Sequence, residues 1–409
     1  MKLNQLANKK ILILGFGKEG RASLKFIKKR VISAVIKVAD KNLSADYLKK
    51  QGGFDLVIKT PGIKKELVTA PYTTATNIFF ANVKNKIIGI TGSKGKSTTA
   101  SLIYHILKTA GRPVHLVGNI GKPMLDKLLK PIGKDDVFVC ELSSYQLDDI
   151  KYSPYITVIT NLFPEHMNYH GGIKDYYRAK KNIINYVRPN DYFIYNPKNK
   201  ILSDWAKQIN CQVLPFEERI TVSQQDIPLL GEHNRDNIKA AITVVHLFKI
   251  SNHVIAQAIK TFKPLPHRLE YVGKYSGIIF YNDALATTPE ATIEAIKALK
   301  NVGTIFLGGE DRGYRFINLV KIIKQYRIKN IVLFPKTGQK IYRQLKLQFN
   351  KLPRIFKTTD MEEAVKFAYQ CTLKNSVCLL STASPSYSLW KNYEEKGNLF
   401  KSFVKKYSI

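Results

Sequence analysis

Short, wholly apolar runs alternate with amphipathic stretches along most of the chain. The runs have strand length: ILILG (11–15), AVIKVAD (34–40), KIIGIT (86–91), DVFVCEL (136–142), YITVITNL (155–162), GIIFYND (277–283), VGTIFLGG (302–309), NIVLF (330–334) and SVCLLS (376–381). Fully apolar strands separated by helices predict an α/β fold of parallel sheets covered on both faces. Between them, TTPEATIEAIKALK predicts a helix opening on Thr287, with Glu290 three residues on as a capping box and Pro289 in the first turn. DMEEAVKFAYQCTLK repeats the device with Asp360 and Glu363, and GEHNRDNIKAAITVVHLFK gives a third amphipathic helix.

Two breaks in the pattern predict three domains. The polar ANVKNK, near 78–85, ends a first α/β unit, and KPLPHR, near 263–268, precedes a new strand series. The expected bounds are 1–82, 83–265 and 266–409. A chain of 409 residues with 44% hydrophobic and 23% charged residues has the composition of a folded globular protein. The apolar run near the N-terminus ends in Gly-x-Gly, as a strand does, and no stretch nears the roughly 20 apolar residues that span a bilayer. A cytoplasmic protein that does not associate with membranes is expected.

The formal charge of +34 changes the picture only in part. Clustered Lys and Arg would point to nucleic acid. Here they are spread along the whole chain, which favours a solvated surface, and a positive field also draws small anions such as nucleotides. The four cysteines, Cys140, Cys211, Cys371 and Cys378, have no C-x-x-C spacing, so neither zinc nor disulfides are expected.

The chemistry begins at IIGITGSKGKSTTASLIYHIL (87–107), an apolar strand running through a Gly- and Lys-containing turn into a helix. Backbone N–H groups of such a turn and the helix N-terminus cradle phosphate. Lys96 is placed to reach the terminal phosphates, and the Ser97 hydroxyl suits Mg²⁺. Yet Ile90 stands where the strict G-x-x-x-x-G-K-[ST] pattern wants glycine.

That departure is informative, because TGSKGKSTT resembles the T-G-[TS]-x-G-K-[ST]-[TS] loop of the Mur ligase superfamily, ATP-dependent amide ligases. The resemblance implies three domains: a Rossmann-like N-terminal domain, a central P-loop ATPase-like domain with a mainly parallel sheet, and a Rossmann-like C-terminal domain. It implies ATP contacts at Gly92, Ser93, Lys94, Gly95, Lys96, Ser97 and Thr98. Further matches follow in order along the chain. GNIG (118–121) places Asn119 near nucleotide and substrate. ELSSYQL ends a strand with Glu141, a hard oxygen ligand for Mg²⁺, and TNLFPEHMNYH places His166 at a second metal. YYRAKKNI resembles the segment whose lysine carries a carbamate in several members: Lys180 by spacing from His166, with Lys181 as the alternative. GEHNRDN brings Asn237 toward adenine, LPHRLE brings Arg268 toward the phosphates, and YNDALATTPEATIEAI brings Asp283 toward the nucleotide or its metal.

In the last third, LGGEDRGYRF and LLSTASPSYSLWKNYEEKGNLF are similar to the signatures of members that add D-glutamate to UDP-N-acetylmuramoyl-L-alanine. By position the resemblance assigns Arg312, Thr287, Ser386 and Tyr393 to D-glutamate; a guanidinium gripping a carboxylate is sound chemistry for an acidic amino acid. At the N-terminus, ILILGFGKEGRA carries a G-x-G-x-x-G loop (Gly15, Gly17, Gly20), with Asp40 ending the next strand. Read alone this is a dinucleotide fingerprint. By resemblance Gly15, Phe16, Gly17, Lys18, Asp40 and the KTPGI turn (Thr60, Pro61, Gly62) receive the UDP-sugar. PYTTATNIFF matches no family motif, and Ala284 and Leu285 replace the Ser and Lys of many relatives. The resemblance therefore implies a monomeric ligase using ATP and Mg²⁺, with a carbamate on Lys180. The rivals are a ligase of the same superfamily with another amino acid or a folate substrate, a basic P-loop protein on nucleic acid, and an NAD enzyme built on the first glycine loop.

Overall fold

A computed structural model describes residues 1–165 and 167–408, without the side chains of Met167 and Asn168. Three sheets follow one another along the chain. The first holds β1 (Lys10–Leu14), β2 (Val35–Ala39), β3 (Leu56–Lys59) and β4 (Tyr72–Thr74) in the order β2-β1-β3-β4, all parallel. The second holds β5 (Ile87–Thr91), β6 (Val114–Gly118), β7 (Val137–Glu141), β8 (Ile156–Ile159), β9 (Tyr192–Tyr195) and β10 (Gln212–Pro215). Its order is β10-β9-β8-β5-β7-β6, again all parallel.

The third sheet holds β11 (Glu270–Tyr275), β12 (Ile278–Asn282), β13 (Val302–Gly308), β14 (Asn330–Phe334), β15 (Arg354–Lys357) and β16 (Val377–Leu380). Its order is β11-β12-β16-β13-β14-β15, and only the β11–β12 pairing is antiparallel.

The apolar runs became strands because both faces of each sheet are covered. In the third sheet, Ile305, Leu307, Ile331 and Leu333 enter one core, while their neighbours Phe306, Val332 and Phe334 enter the other. This is the alternation of side chains across a pleated strand, with apolar partners on both sides. The strands that the apolar pattern does not single out include β4, only three residues long, and β10 and β15, whose residues are exposed or half-buried.

The chain packs as two compact units, one of residues 1–226 with 233–262, the other of 227–232 with 263–409. Within the first, two sheets share a core that runs from Ile11, Ile13 and Phe26 to Phe138 and Cys140. The break expected near 78–85 is half filled by this packing. PYTTATNIFF forms β4 and the helix Ala75–Asn82, and Phe79 meets Phe138 edge-on at 5.3 Å. Among the described residues no helix is long and apolar enough to cross a membrane, and all four cysteines are free thiols.

Two capping expectations need correction. The helix Pro289–Leu299 is capped by Thr288, not Thr287; the Thr288 hydroxyl accepts from the Ala291 N–H at 3.3 Å. Pro289 lacks an N–H and takes the first helical position, so the cap falls on the residue before it and Glu290 lies too early to close a box. Asp360 caps its helix by accepting from the Glu363 N–H at 3.0 Å, but the Glu363 carboxylate turns instead to the Thr358 hydroxyl.

One buried ion pair ties the first sheet to the second. Lys59, at the end of β3, places Nζ 2.5 Å from Asp149 Oδ2, with both side chains at most 3% exposed. Lys59 also donates to the Ile63 carbonyl, Tyr72 donates to Asp149 Oδ1, and Asn77 donates to the Asp149 carbonyl. Removing one partner of such a pair leaves an uncompensated buried charge. Lys59→Met is therefore expected to destabilise the first unit by about 3–5 kcal/mol, and adding Asp149→Asn to recover part of the loss. Denaturant unfolding checks this; an unchanged midpoint for Lys59→Met would remove the pair from the forces holding the two sheets together.

Candidate active site

The phosphate loop is positioned by β5, the central strand from which the second sheet grows in both directions. Its backbone passes through Gly92 at φ +145° and Gly95 at φ +84°, then enters the helix Lys96–Thr109. Side chains are excluded here. A Cβ on Gly92 would lie 2.0 Å from Thr160 Oγ1, and one on Gly95 would lie 2.3 Å from Asn237 Oδ1. The strand-end residues of β8 brace the loop: Thr160 donates to the Lys94 carbonyl at 2.6 Å, and Asn161 Oδ1 accepts from the Lys94 N–H at 2.8 Å. Ser93 donates to the Phe163 carbonyl and exchanges a hydrogen bond with Tyr176. Lys94 pairs with Glu165. Lys96 folds over the loop, donating at 2.9 Å to the carbonyls of Gly92 and Ser93. Gly95 offers the helix no side-chain cap, which suits its N-terminus to an anion.

Glu141 emerges from β7 beside this loop and is 1% exposed. Its Oε1 accepts from Asn119 Nδ2 at 2.8 Å, so the GNIG turn holds the carboxylate in place. Its Oε2 is buried without a hydrogen-bond partner. An orphaned carboxylate oxygen beside a phosphate cradle fits a hard cation. Among the described residues no cluster of three His, Cys, Asp or Glu side chains is gathered. His166 lies outside the described residues.

Lys180 is the buried one of the two lysines, while Lys181 sits over the Trp205 ring. Lys180 Nζ donates to the Gly92 carbonyl at 2.8 Å and to Thr91 Oγ1 at 3.3 Å. Burial, reinforced by the charge of Lys96, holds its ammonium well below the usual lysine range. Asn237 reaches the same loop: its Oδ1 accepts from Thr99 Oγ1 at 3.2 Å. Glu141, Lys180, Asn119 and Asn237 thus gather with the loop residues at one end of the second sheet.

The first sheet presents its own loops. Asp40, just past β2, does not stand free: Oδ2 accepts from the Phe16 N–H at 2.6 Å and Oδ1 from the Asn42 N–H, which holds its carboxyl below the ordinary range. Thr60 donates to the Leu14 carbonyl at 3.0 Å, closing the KTPGI turn on the glycine loop. Glu19, in the first turn after that loop, was not singled out by its sequence. It accepts from Gln146 Nε2 at 2.5 Å, and burial pushes its carboxyl up to about 7.

The second unit forms a separate polar cluster at the carboxyl ends of β12, β13 and β16. Asp283 accepts from the Ser381 hydroxyl at 2.9 Å and the Leu269 N–H at 3.1 Å, and burial raises its carboxyl to about 6. Arg268 lies near enough to favour the charged form of Asp283, and its Nε is buried without a partner. Arg312 is half exposed and stands over the Tyr387 ring at 5.8 Å, one residue from Ser386. Tyr393 opens the helix Tyr393–Lys406 and meets His267 edge-on. Thr287, half-buried, is released from the capping role. Lys396, also missed in the sequence, is 1% exposed and donates to Thr382 Oγ1 at 2.7 Å and Ser386 Oγ at 3.1 Å.

A phosphate loop at the switch point of a parallel sheet, with a buried carboxylate and a desolvated lysine against it, defines a P-loop nucleotide enzyme. Two family profiles match the chain: the Mur ligase middle domain over residues 90–225, and the Mur ligase glutamate ligase domain over 267–384. The chain is 32% identical to the "UDP-N-acetylmuramoylalanine--D-glutamate ligase" of Thermoanaerobacter sp. (strain X514), over 98% of this chain and 99% of that one. It is 33% identical to the protein of that name from Streptococcus agalactiae serotype Ia, over 96% of each. In fold it is similar to the UDP-N-acetylmuramate-alanine ligase MurC of Thermotoga maritima, with TM-score 0.64 and 17% identity, covering 98% of this chain and 99% of that one. It is likewise similar to the MurF ligase of Thermotoga maritima in complex with ADP, with TM-score 0.63 and 16% identity, covering 99% and 97%. The chain belongs to the Mur ligase family, on the branch of the UDP-N-acetylmuramoylalanine--D-glutamate ligases.

Gly95→Ala tests the loop. A side chain there combines an unfavourable positive φ with a collision on Asn237. Strain of about 1–3 kcal/mol corresponds to a loss of ATP affinity of roughly tenfold or more. Calorimetry with a non-hydrolysable ATP analogue checks it, and unaltered affinity would place the nucleotide away from this turn.

Proposed function

We propose that this chain joins D-glutamate to UDP-N-acetylmuramoyl-L-alanine and converts ATP to ADP and phosphate. The observation that carries the reading is the meeting of Glu141 and Lys180 with the phosphate loop at the end of β5. The choice of D-glutamate is supported by similarity, over nearly the whole chain, to relatives named for that reaction.

An oxygen of the L-alanyl carboxylate attacks the γ-phosphorus, the bond to the ADP oxygen breaks, and an acyl phosphate forms. The D-glutamate amine then attacks the carbonyl carbon, phosphate leaves with the bonding pair, and the nitrogen loses a proton. No side-chain nucleophile is needed; the chain's work is positioning and charge stabilisation. Lys96, on the loop, is the cation for charge gathering on the transferred phosphoryl group. Asn237 borders the loop for adenine, Arg268 and Asp283 are assigned to the nucleotide by resemblance, and Arg312, Thr287, Ser386 and Tyr393 receive D-glutamate. Gly15, Phe16, Gly17, Lys18, Asp40, Thr60, Pro61, Gly62 and Asn119 receive the UDP-sugar.

Mg²⁺, when bound, would neutralise phosphate charge, and Ser97, Glu141 and a carbamylated Lys180 would hold it, with His166 assigned by resemblance alone. Lys180 suits carbamylation because burial favours its neutral amine. That nitrogen bonds to the carbon of CO₂ and gives up a proton, leaving an anion in place of a cation. The reading describes a cytoplasmic monomer with domains 1–82, 83–265 and 266–409.

Amino-acid-dependent phosphate release is the decisive assay. D-glutamate is expected to drive it, and Lys96→Ala to lower turnover by about 10²-fold or more. Activity with L-alanine or meso-diaminopimelate but not D-glutamate would move the chain to another ligase of the superfamily. Independently, ¹³C-bicarbonate should give a carbamate signal by NMR in the wild type and none in Lys180→Met. Acidification, which protonates the amine, should weaken that signal; a signal persisting in Lys180→Met would place the carbamate elsewhere.

A further inference from the structure

We propose that Lys396 is a positioning residue of the amino-acid site, fixing the Ser386 hydroxyl as a hydrogen-bond donor so that the site selects a carboxylate. The proposal rests on the reading that Ser386 receives D-glutamate.

The argument begins with hydrogen-bond polarity. An ammonium donates and cannot accept, whereas a hydroxyl can do either. With Lys396 Nζ 3.1 Å from Ser386 Oγ, the serine oxygen must accept from it. Its own proton is then left to donate elsewhere. Among the described residues its acceptor is the Ser384 carbonyl at a long 3.4 Å, which a carboxylate oxygen would displace as the better partner. An acceptor is favoured and a donor is rejected, because a second donor would face the serine proton.

The surroundings hold this polarity in place. Lys396 also donates to Thr382, whose hydroxyl reaches the carbonyls of Ser384 and Ala286. One ammonium therefore braces both the segment carrying Ser386 and the one leading to Thr287. Tyr393 lies one helical turn before Lys396 on the same helix, so the two share a face. From the other side, a Cβ on Gly309 would come within 3.1 Å of Ser386 Oγ, and Arg312 stands over Tyr387. Of the four residues assigned to D-glutamate, Ser386 bonds Lys396 directly, and Thr287, Arg312 and Tyr393 are tied to the hub through Ala286, Tyr387 and the shared helix. Burial lowers its ammonium to about 7, and the negative charge of Asp283 works against that lowering, so the donor polarity described here belongs to the charged form.

The test is a double-mutant cycle in the full-length chain, reading KM for D-glutamate, KM for ATP and kcat from phosphate release. Lys396→Met keeps the volume and removes the donor. It is expected to raise KM for D-glutamate about tenfold or more, with KM for ATP unchanged, because a hydrogen bond to a charged group weakens. In a Ser386→Ala background the same change should add less than about twofold. Lys396→Arg, another donor without an acceptor, should retain most of the affinity. If Lys396→Met does not fold, as judged by its unfolding midpoint and ADP affinity, Lys396→Gln takes its place in the cycle, since glutamine can accept as well as donate. Equal KM effects in both backgrounds, no KM effect, or a loss in Lys396→Arg as large as in Lys396→Met would each overturn the proposal. Wild-type enzyme that ignores D-glutamate would overturn the ligase reading itself; a responsive wild type with an additive cycle would refute Lys396 alone.

Discussion

A lysine withdrawn from water must find a counter-charge, gather acceptors, or give up its proton. Three lysines in this chain are buried to 1% exposure or less, and each meets the constraint differently. Lys59 has the carboxylate of Asp149 against it and serves as a rivet between two sheets. Lys180 has a carbonyl and a hydroxyl as nearest partners and Lys96 as a repelling neighbour, so the neutral amine is favoured. Lys396 lies between these cases, with two hydroxyls in contact and Asp283 attracting it through space; burial lowers its ammonium to about 7. The first arrangement stabilises, the second prepares an amine to react, and the third aligns hydroxyls. The same side chain takes three roles because its surroundings differ in net charge and not in polarity alone.

Parallel strands explain why the polar groups collect where they do. Between parallel strands the chain leaves the carboxyl edge into a loop and returns through a helical segment. Residues ending neighbouring strands therefore become spatial neighbours whatever their separation in sequence. Gly92 and Thr160, which follow the neighbouring strands β5 and β8, meet, and Glu141 ends β7 on the other side of β5, opposite Ile90. Asp283 and Ser381, which end β12 and β16, do the same in the second unit. The apolar strand interiors leave such residues no place except the edge.

Much of this was legible in the sequence because apolar strands and glycine turns are local signals. The P-loop helix, the order of the strand-end residues and nine strand positions follow from runs of a few residues. What escaped depends on long-range packing. β10 and β15 are edge strands without an apolar run, and their pairing is supplied by a neighbour. Thr288 displaced Thr287 as the cap because proline fixes its own place in the first turn, a shift of one residue that composition cannot register. Lys396 and Glu19 were missed for a deeper reason: Lys and Glu are usually exposed, and nothing near them in sequence announces burial. The clue to Lys396 lay in its place in the signature segment 379–400, three residues beyond Tyr393 and just before Gly397.

The excess of 65 basic over 31 acidic residues gives these local arrangements their weight. A chain so cationic attracts ATP, a UDP-sugar and glutamate alike, all of them anions. Such attraction is screened over about 8 Å at physiological ionic strength, so it cannot tell one anion from another at a site. Discrimination must come from groups taken out of water, where a hydrogen bond's direction costs energy to reverse. Acidic side chains are scarce here, and buried Glu141, Asp149 and Asp283 each stand near a lysine or an arginine. With few carboxylates to neutralise them, Lys180 and Lys396 have hydroxyls and a carbonyl as hydrogen-bond partners, and burial holds both ammonium groups below the usual lysine range. A positive surface brings anions close; buried groups at the carboxyl ends of the strands, whose hydrogen-bond directions are fixed by their neighbours, are what can tell one anion from another.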